Sequence, residues 1–197
     1  MESAELIGYL AGAAWRGALG GGALWIALRV TGPAGGLRGL AALLWGGFVL
    51  ALAFHPVPAR FDCTAVPAMR LVPFGFVLDG LERLREGAGW RALAGDLTLV
   101  SSAANLGFFA LWGALAHRWT GQGGGRWPAG VAGTALAGFL ASAAIETLQG
   151  SAVLGLFPCP WRHVDVDDLI LNTAGAALGG LAAGALGAML ARRRASG

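Results

Sequence analysis

The sequence predicts an all-α integral membrane bundle of about five transmembrane helices. Its residues are 56% hydrophobic and only 13% charged, whereas ordinary soluble domains carry about 25% charged residues. Several apolar stretches also approach the roughly 20 residues that a helix needs to cross a bilayer. Because the chain has 197 residues, such spans leave little room for a soluble domain, and we expect a single membrane domain over residues 1–197.

The first two predicted spans lie near the N-terminus. The first extends from Leu6 to Val30 and is interrupted only by Arg16. The second, Gly39 to Phe54, reaches a full span when its flanks from Leu37 to Pro56 are included. The start of the chain is acidic, whereas a cleavable secretion signal begins with a basic segment, so we expect the first stretch to remain as a membrane anchor.

An amphipathic helix is predicted between the second and third spans, from Phe74 to Glu86. One side of this helix is apolar and consists of Phe74, Val77, Leu78, Leu81 and Leu84. The other side is charged and consists of Asp79, Glu82, Arg83, Arg85 and Glu86. We favour a helix that lies in the membrane interface. An amphipathic helix packed on the protein's own surface would show the same pattern.

Three further spans complete the predicted bundle, and arginines near the span ends orient it. The spans are Leu97 to Ala116, Trp127 to Leu148, and Leu169 to Leu190. The arginines that fall on one side are Arg29, Arg38, Arg118, Arg126, Arg192, Arg193 and Arg194. By the positive-inside rule that side is cytoplasmic, which places the N-terminus outside and the C-terminus in the cytoplasm. Five arginines between residues 60 and 91 fall on the other side and oppose this assignment. Their segment is long, and the positive-inside rule applies less strongly to long loops.

Both cysteines lie in loops assigned to the outside. Cys63 precedes the amphipathic helix, and Cys159 lies between the fourth and fifth spans. Disulfides persist in that compartment, so the two residues are candidates for a disulfide. Two unpaired thiols fit the sequence equally well.

A polar stripe marks the end of the fourth span. Ser142, Glu146 and Gln149 are spaced i, i+4 and i+7, so they share one helix face. An ionisable group inside a span costs several kcal/mol unless it is paired or hydrated. Glu146 is therefore the most informative residue of the chain.

A second polar stripe begins the fifth span. Asp165, Asp168 and Asn172 share one face, and Gly175 and Gly179 continue it at helical spacing. Acidic residues at this position also interact favourably with the positive end of the helix dipole. At least one of Asp165, Asp167 and Asp168 is expected to cap the helix.

Arg162 and Asn105 complete the predicted site. The guanidinium of Arg162 is suited to a carboxylate or to a substrate phosphate, and structural pairing with Glu146 or an aspartate remains the alternative. Asn105 lies at a depth in the third span similar to that of Glu146 in the fourth. Convergence of these groups at one membrane depth predicts a binding site, whereas isolated polar groups would only join helices.

These motifs resemble the VanZ-like family of bacterial membrane proteins. The first is S-x-x-I-E-x-x-Q from Ser142 to Gln149, and the second is R-x-x-D-x-x-D-L-x-x-N-x-x-G-x-x-x-G from Arg162 to Gly179. An earlier element at Asn105, Phe109 and Gly113 has Leu111 where the family usually has proline, and Pro73 with Phe74 resembles a Pro-Phe pair of the family. The resemblance covers approximately residues 38–190. It implies a helical membrane protein of the cell envelope. The family is named for a component associated with glycopeptide resistance, teicoplanin in particular, and membership alone does not imply that this chain confers resistance.

Three functional hypotheses follow. In the first, an outer-leaflet polar pocket binds a membrane lipid, a lipid-linked cell-wall precursor or a lipoglycopeptide, with Arg162 holding an anionic group and Asn105, Gln149 and Asn172 supplying hydrogen bonds. In the second, the protein is an intramembrane hydrolase or transferase whose Glu146, Asp165 and Asp168 act as catalytic groups or bind a divalent metal. In the third, the polar groups only assemble the bundle. Nucleic-acid binding is not expected, because no basic face combines with interleaved aromatic residues.

Overall fold

The structure is a computed structural model that describes residues 3–31, 36–54, 57–58, 60–65, 68–120 and 127–196. Within these ranges the chain forms helices and one isolated backbone bridge, so the predicted all-α fold is confirmed. The helices belong to two compact units, residues 1–62 and residues 63–197. The polar residues of the predicted site all lie in the second unit.

The first unit is a pair of close-packed helices, α1 (Ser3–Thr31) and α2 (Gly36–Phe54). Gly17 of α1 lies against the backbone at Phe48, and Gly21 lies against the backbone at Leu43. Residue numbers rise along α1 as they fall along α2, so the two helices are antiparallel. Glycines four residues apart allow this close approach, which is a common way for helices to associate in lipid.

Three helices of the second unit are long and apolar enough to cross a membrane: α5 (Leu97–Thr120), α6 (Trp127–Gly150) and α8 (Val166–Ala195). In the first unit, the apolar part of α2, Gly39–Phe54, is shorter. The first predicted span falls in α1, where the side chains at both ends lie outside the described residues. A membrane helical bundle is therefore supported, and the count of five spans stays a prediction.

Glycines of α8 set its register against the two neighbouring spans. Gly175 lies against the carbonyl of Leu106, and Gly179 lies against the carbonyl of Ala110, so α5 and α8 run parallel. Gly180 lies against Thr134 of α6, while Gly138 of α6 lies against Asn172 and Ala176, which makes α6 and α8 antiparallel. One end of this bundle therefore contains the N-termini of α5 and α8 together with the C-terminus of α6.

The amphipathic helix α3 (Gly75–Arg85) and the short helix α4 (Trp90–Ala94) precede α5. α3 contacts α5 through Gly80, which faces Leu99, and Arg83 forms an ion pair with Asp96, the residue just before α5. Its apolar residues are 40–54% exposed: Phe74, Val77, Leu78, Leu81 and Leu84. About half of the surface of each of these side chains is therefore exposed, so the apolar side of α3 is not buried in the bundle.

A disulfide and a left-handed turn shape the connections at this end of the bundle. Cys63 and Cys159 form a disulfide with Cα atoms 5.6 Å apart. The short segment α7 (Ala152–Gly155) follows α6, and all four of its residues have positive φ, between 51° and 79°. Ser151 precedes the turn, and its hydroxyl accepts a hydrogen bond from the backbone N–H of Leu154 at 3.0 Å. The turn leaves Leu154 and Leu156 about three-quarters exposed.

Candidate functional site

The N-terminus of α8 is fixed by a backbone bridge to the segment before α3. The N–H of Arg70 donates to the carbonyl of Val164 at 2.8 Å, and the N–H of Val166 donates to the carbonyl of Arg70 at 2.9 Å. These bonds pair Arg70 with Asp165 as an isolated parallel bridge. The side chain of Arg70 forms an ion pair with Asp79 of α3 at 2.8 Å and lies 3.8 Å from the carboxylate of Asp165.

Glu146 connects the end of α6 to the start of α8. Its Oε2 accepts a hydrogen bond from the backbone N–H of Asp165 at 2.8 Å, and the residue is only 8% exposed. Asp165 is the N-cap residue of α8, because its carboxylate accepts from the N–H of Asp167 at 2.9 Å. The expected capping role therefore belongs to Asp165, while Glu146 satisfies the N–H of the cap residue itself.

Asn105 and Asp168 connect α5 to α8. The side-chain amide of Asn105 donates to the carboxylate of Asp168. This contact joins two helices that run parallel, each within its first few turns. The structure thus brings Asn105 into contact with one of the predicted site residues of α8.

Ser142 and Asn172 form a buried polar pair between α6 and α8. The hydroxyl of Ser142 donates to the backbone carbonyl of Asp168 at 3.4 Å and accepts from Nδ2 of Asn172 at 2.9 Å. In this arrangement the amide of Asn172 presents its N–H₂ group to Ser142. Its carbonyl oxygen, Oδ1, is buried and has no hydrogen-bond partner among the described residues.

Arg162 and Gln149 differ in their exposure. Gln149 is 4% exposed and lies on the same face of α6 as Glu146. Arg162 is exposed, and no described carboxylate lies within 4.0 Å of it. Arg162 lies three residues before Asp165, the N-cap residue, so its positive charge is near the polar groups at the start of α8. Direct pairing of Arg162 with Glu146 or an aspartate, which was the structural alternative to ligand binding, is absent from the described part of the chain.

Sequence reasoning missed the role of Arg70 and considered Asp167 only as a possible helix cap. Asp167 is 4% exposed, and its carboxylate accepts hydrogen bonds from the backbone N–H groups of Phe74 and Phe76. Arg70 connects α3 to Asp165 through its side chain and its backbone. The available signal was the Pro-Phe pair at Pro73 and Phe74. Phe74 has a left-handed backbone, with φ of 60°, and its N–H needs the acceptor that Asp167 provides.

The candidate metal ligands are Glu146, Asp165 and Asp168. No set of three His, Cys, Asp or Glu side chains in the described ranges is close enough to share a metal ion. Glu146 instead accepts from a backbone N–H, and Asp168 accepts from the side-chain amide of Asn105. Asp165 lies 3.8 Å from the guanidinium of Arg70. The described residues therefore do not fit a three-carboxylate metal centre, and catalytic roles for the three acids stay predictions.

The chemical character of the cluster is that of a buried hydrogen-bond acceptor site. The residues that make it up are Asn105, Ser142, Glu146, Gln149, Arg162, Asp165, Asp168 and Asn172. Glu146 and Asp168 receive hydrogen bonds from neutral donors, and Asn172 offers a further acceptor. Arg162 supplies an exposed cation beside them. Such a cluster, which we call the polar cluster, can bind a group that combines hydrogen-bond donors with an anion.

Comparison with known families agrees with the motifs. The family model described as VanZ/LLP1 matches residues 40–187, close to the approximate range 38–190 expected from the motifs. No curated protein and no solved structure matches the chain. The match covers α5, α6 and α8 in full apart from the last residues of α8, and it includes every residue of the polar cluster. The chain therefore belongs to the VanZ/LLP1 family.

Proposed function

We propose that this VanZ-like membrane protein binds the polar head of an envelope lipid, or of a lipid-like molecule, at the polar cluster. The main support for the proposal is that Arg162 is exposed and forms no direct ion pair among the described residues. Arginine binds phosphate and carboxylate groups with two parallel hydrogen bonds. A head group at Arg162 would lie next to the buried acceptors of α6 and α8.

The surroundings of the cluster suit a molecule with an apolar tail. Leu154 and Leu156 are 75% and 76% exposed in the connection that leads from α6 to Arg162. The apolar side of α3 is exposed as well, and α3 is attached to Asp165 through Arg70. Exposed apolar side chains of this number are unfavourable in water and favourable in lipid. The head of a lipid could therefore reach the cluster while its chains remain in the leaflet.

A purely structural role explains only part of the cluster. Each hydrogen bond of Glu146, Asn105 and Ser142 joins two helices, which is what assembly requires. Assembly requires neither an exposed arginine nor a buried carbonyl oxygen without a donor. These two features favour ligand binding over the structural hypothesis.

The proposed orientation places the cluster on the outer side of the membrane. The cysteine-bearing connections lie at the same end as the cluster, because Cys63 and Cys159 form a disulfide there. Disulfides persist in oxidising compartments. The opposite end contains the C-terminal arginines Arg192, Arg193 and Arg194, as expected of a cytoplasmic side.

Lipid binding can be tested by photo-crosslinking. The full chain would be reconstituted in nanodiscs that contain a phospholipid with a photoreactive group near its head, and crosslinked peptides would be identified by mass spectrometry. We expect crosslinks within residues 154–162 and a several-fold decrease in Arg162→Gln. Arg192→Gln, an exposed arginine at the other end of α8, is the matched control and should retain them. Equal crosslinking in both variants would contradict the proposal.

A link to teicoplanin resistance is a separate part of the proposal. Teicoplanin carries an acyl tail, so it has the lipid-like form that the cluster and its apolar surroundings would accept. We expect expression of the protein in a susceptible bacterium to raise the inhibitory concentration of teicoplanin more than that of a glycopeptide without a tail. An equal effect on both drugs, or no effect, would restrict the ligand to membrane lipids.

A further inference from the structure

The buried carbonyl of Asn172 indicates what kind of group enters the polar cluster. Asn172 is 4% exposed, and Ser142 fixes its amide so that Nδ2 is used and Oδ1 is left without a donor in the described residues. A buried acceptor without a donor costs about 1–3 kcal/mol. Glu146 shares a helix face with Ser142, and Asp168 shares one with Asn172. Ionised carboxylates are acceptors only, so neither of them can satisfy this carbonyl in that form.

The charges of the cluster indicate that the missing donor is a cation. Glu146 accepts from a backbone N–H and Asp168 accepts from the amide of Asn105, and neither has a cationic partner within 4.0 Å among the described residues. Arg70 is already paired with Asp79 and lies near Asp165. Both carboxylates thus have only neutral donors. A cationic group would stabilise such a buried carboxylate more than another neutral donor, such as a hydroxyl, would.

Resting on the proposed function, we infer that the head group is zwitterionic: a primary amine enters between Glu146, Asp168 and Asn172, and a phosphate binds Arg162. A primary ammonium has three N–H donors, which matches three acceptors on two helices. The exposed position of Arg162 suits the phosphate, which remains near water. Aminophospholipids of the ethanolamine type have this combination of groups.

The inference differs from simple binding of an anionic lipid. A phosphate alone would pair with Arg162 but would leave the carbonyl of Asn172 without a donor and would add negative charge beside Glu146 and Asp168. A polyol head would supply donors but no cation. The amine is therefore the group that decides which lipid is preferred.

Native mass spectrometry of the detergent-solubilised full chain can test this preference. Three lipids with identical acyl chains would be titrated: phosphatidylethanolamine, N-acetyl phosphatidylethanolamine and phosphatidylglycerol. We expect phosphatidylethanolamine to bind about tenfold or more tightly than the other two, because only it carries the ammonium. Soluble glycerophosphoethanolamine, added as a competitor, distinguishes a site that reads the head group alone from one that also needs the chains.

Variants assign the preference to the cluster. Glu146→Gln and Asn172→Leu should lower the preference for the amine to less than about threefold, whereas Arg162→Gln should weaken phosphatidylethanolamine and phosphatidylglycerol by similar factors. Glu86→Gln, an exposed carboxylate of the turn after α3, is the matched control and should behave as the wild type. The wild-type comparison of the three lipids decides the question even if a cluster variant does not fold.

The outcomes separate the two proposals. Equal binding of the acetylated and free amines, or tighter binding of phosphatidylglycerol, would overturn the zwitterionic head group and leave lipid binding intact. Absence of saturable binding for all three lipids would overturn the proposed function as well.

Discussion

The carboxylate of Glu146 accepts a hydrogen bond from the backbone N–H of Asp165 at 2.8 Å, so the end of one span holds the first turn of another. Glutamine retains an oxygen acceptor of the same reach. We therefore expect Glu146→Gln to insert and fold, and to lose function because the carboxylate is absent.

The comparison with Glu146→Ala makes this prediction specific. Alanine leaves the N–H of Asp165 without its acceptor, and we expect it to lower the free energy of unfolding by about 1–3 kcal/mol. Thermal unfolding in detergent and membrane yield, measured beside lipid binding, distinguish the two variants. If Glu146→Gln lost expression as severely as Glu146→Ala, a separate functional role for the carboxylate would not be supported.

Asp167 attaches the start of α3 to the start of α8, since it accepts from the N–H groups of Phe74 and Phe76. Phe74 has a left-handed backbone that this acceptor helps to hold. We expect Asp167→Ala to cost about 1.5–3 kcal/mol and to increase hydrogen exchange in residues 74–78. Asp79→Ala, which removes only the exposed ion pair with Arg70, should cost less than about 1 kcal/mol. Unchanged exchange in Asp167→Ala would rule out the attachment.

Close packing of α5 on α8 depends on Gly179, whose α-carbon faces the carbonyl of Ala110. A methyl group there would overlap the backbone of α5, and we expect Gly179→Ala to destabilise the bundle by about 1–3 kcal/mol. Gly107 of α5 has no atom within 4 Å of an added methyl group. Gly107→Ala should therefore be neutral or stabilising by up to about 1 kcal/mol. Thermal unfolding of both variants measures the difference, and similar shifts would contradict this packing.

The disulfide between Cys63 and Cys159 closes a long loop, since the residues are 96 positions apart. Reduction, or replacement of both cysteines by serine, should lower stability by about 2–5 kcal/mol. Thermal unfolding with and without reductant tests this in the wild type, and the double serine variant should not respond to reductant. A wild-type protein insensitive to reductant would show that the bridge contributes little.

The exposed apolar side of α3 predicts its depth in the membrane. Spin labels at Leu78→Cys and at Glu82→Cys would lie on the apolar and charged sides of the same helix. We expect the label at residue 78 to be more accessible to oxygen and the label at residue 82 to be more accessible to a water-soluble nickel complex. Both described cysteines are in the disulfide, so the new thiols can be labelled selectively. Equal accessibility at both sites would place α3 outside the interface.

Residues that are costly inside a span were predictable from the sequence. Glu146 and Asp168 break apolar stretches, and helical spacing places Ser142 and Asn172 on the same faces as these acids. The structure joins them through hydrogen bonds, because α6 and α8 pack with those faces together. The apolar side of α3 also followed from its period, since it depends only on neighbouring residues.

Contacts between distant segments were not predictable in this way. Phe74 and Asp167 are 93 positions apart, and the sequence does not indicate which of three nearby aspartates caps α8 and which binds another segment. The bridge at Arg70 involves backbone groups, which every residue has. The left-handed turn at residues 152–155 contains alanine, valine and leucine, which have no local preference for positive φ.

The parallel arrangement of α5 and α8 also has an electrostatic consequence. Each helix N-terminus carries roughly half a positive charge and each C-terminus roughly half a negative charge. The two N-termini and the one C-terminus at this end of the bundle therefore supply a small positive field made by the backbone alone. That field lowers the cost of placing four acids, Glu146, Asp165, Asp167 and Asp168, beside two arginines, Arg70 and Arg162, but it is too small to neutralise the excess. We therefore expect the cluster to keep a negative charge that favours a cation arriving from the membrane surface.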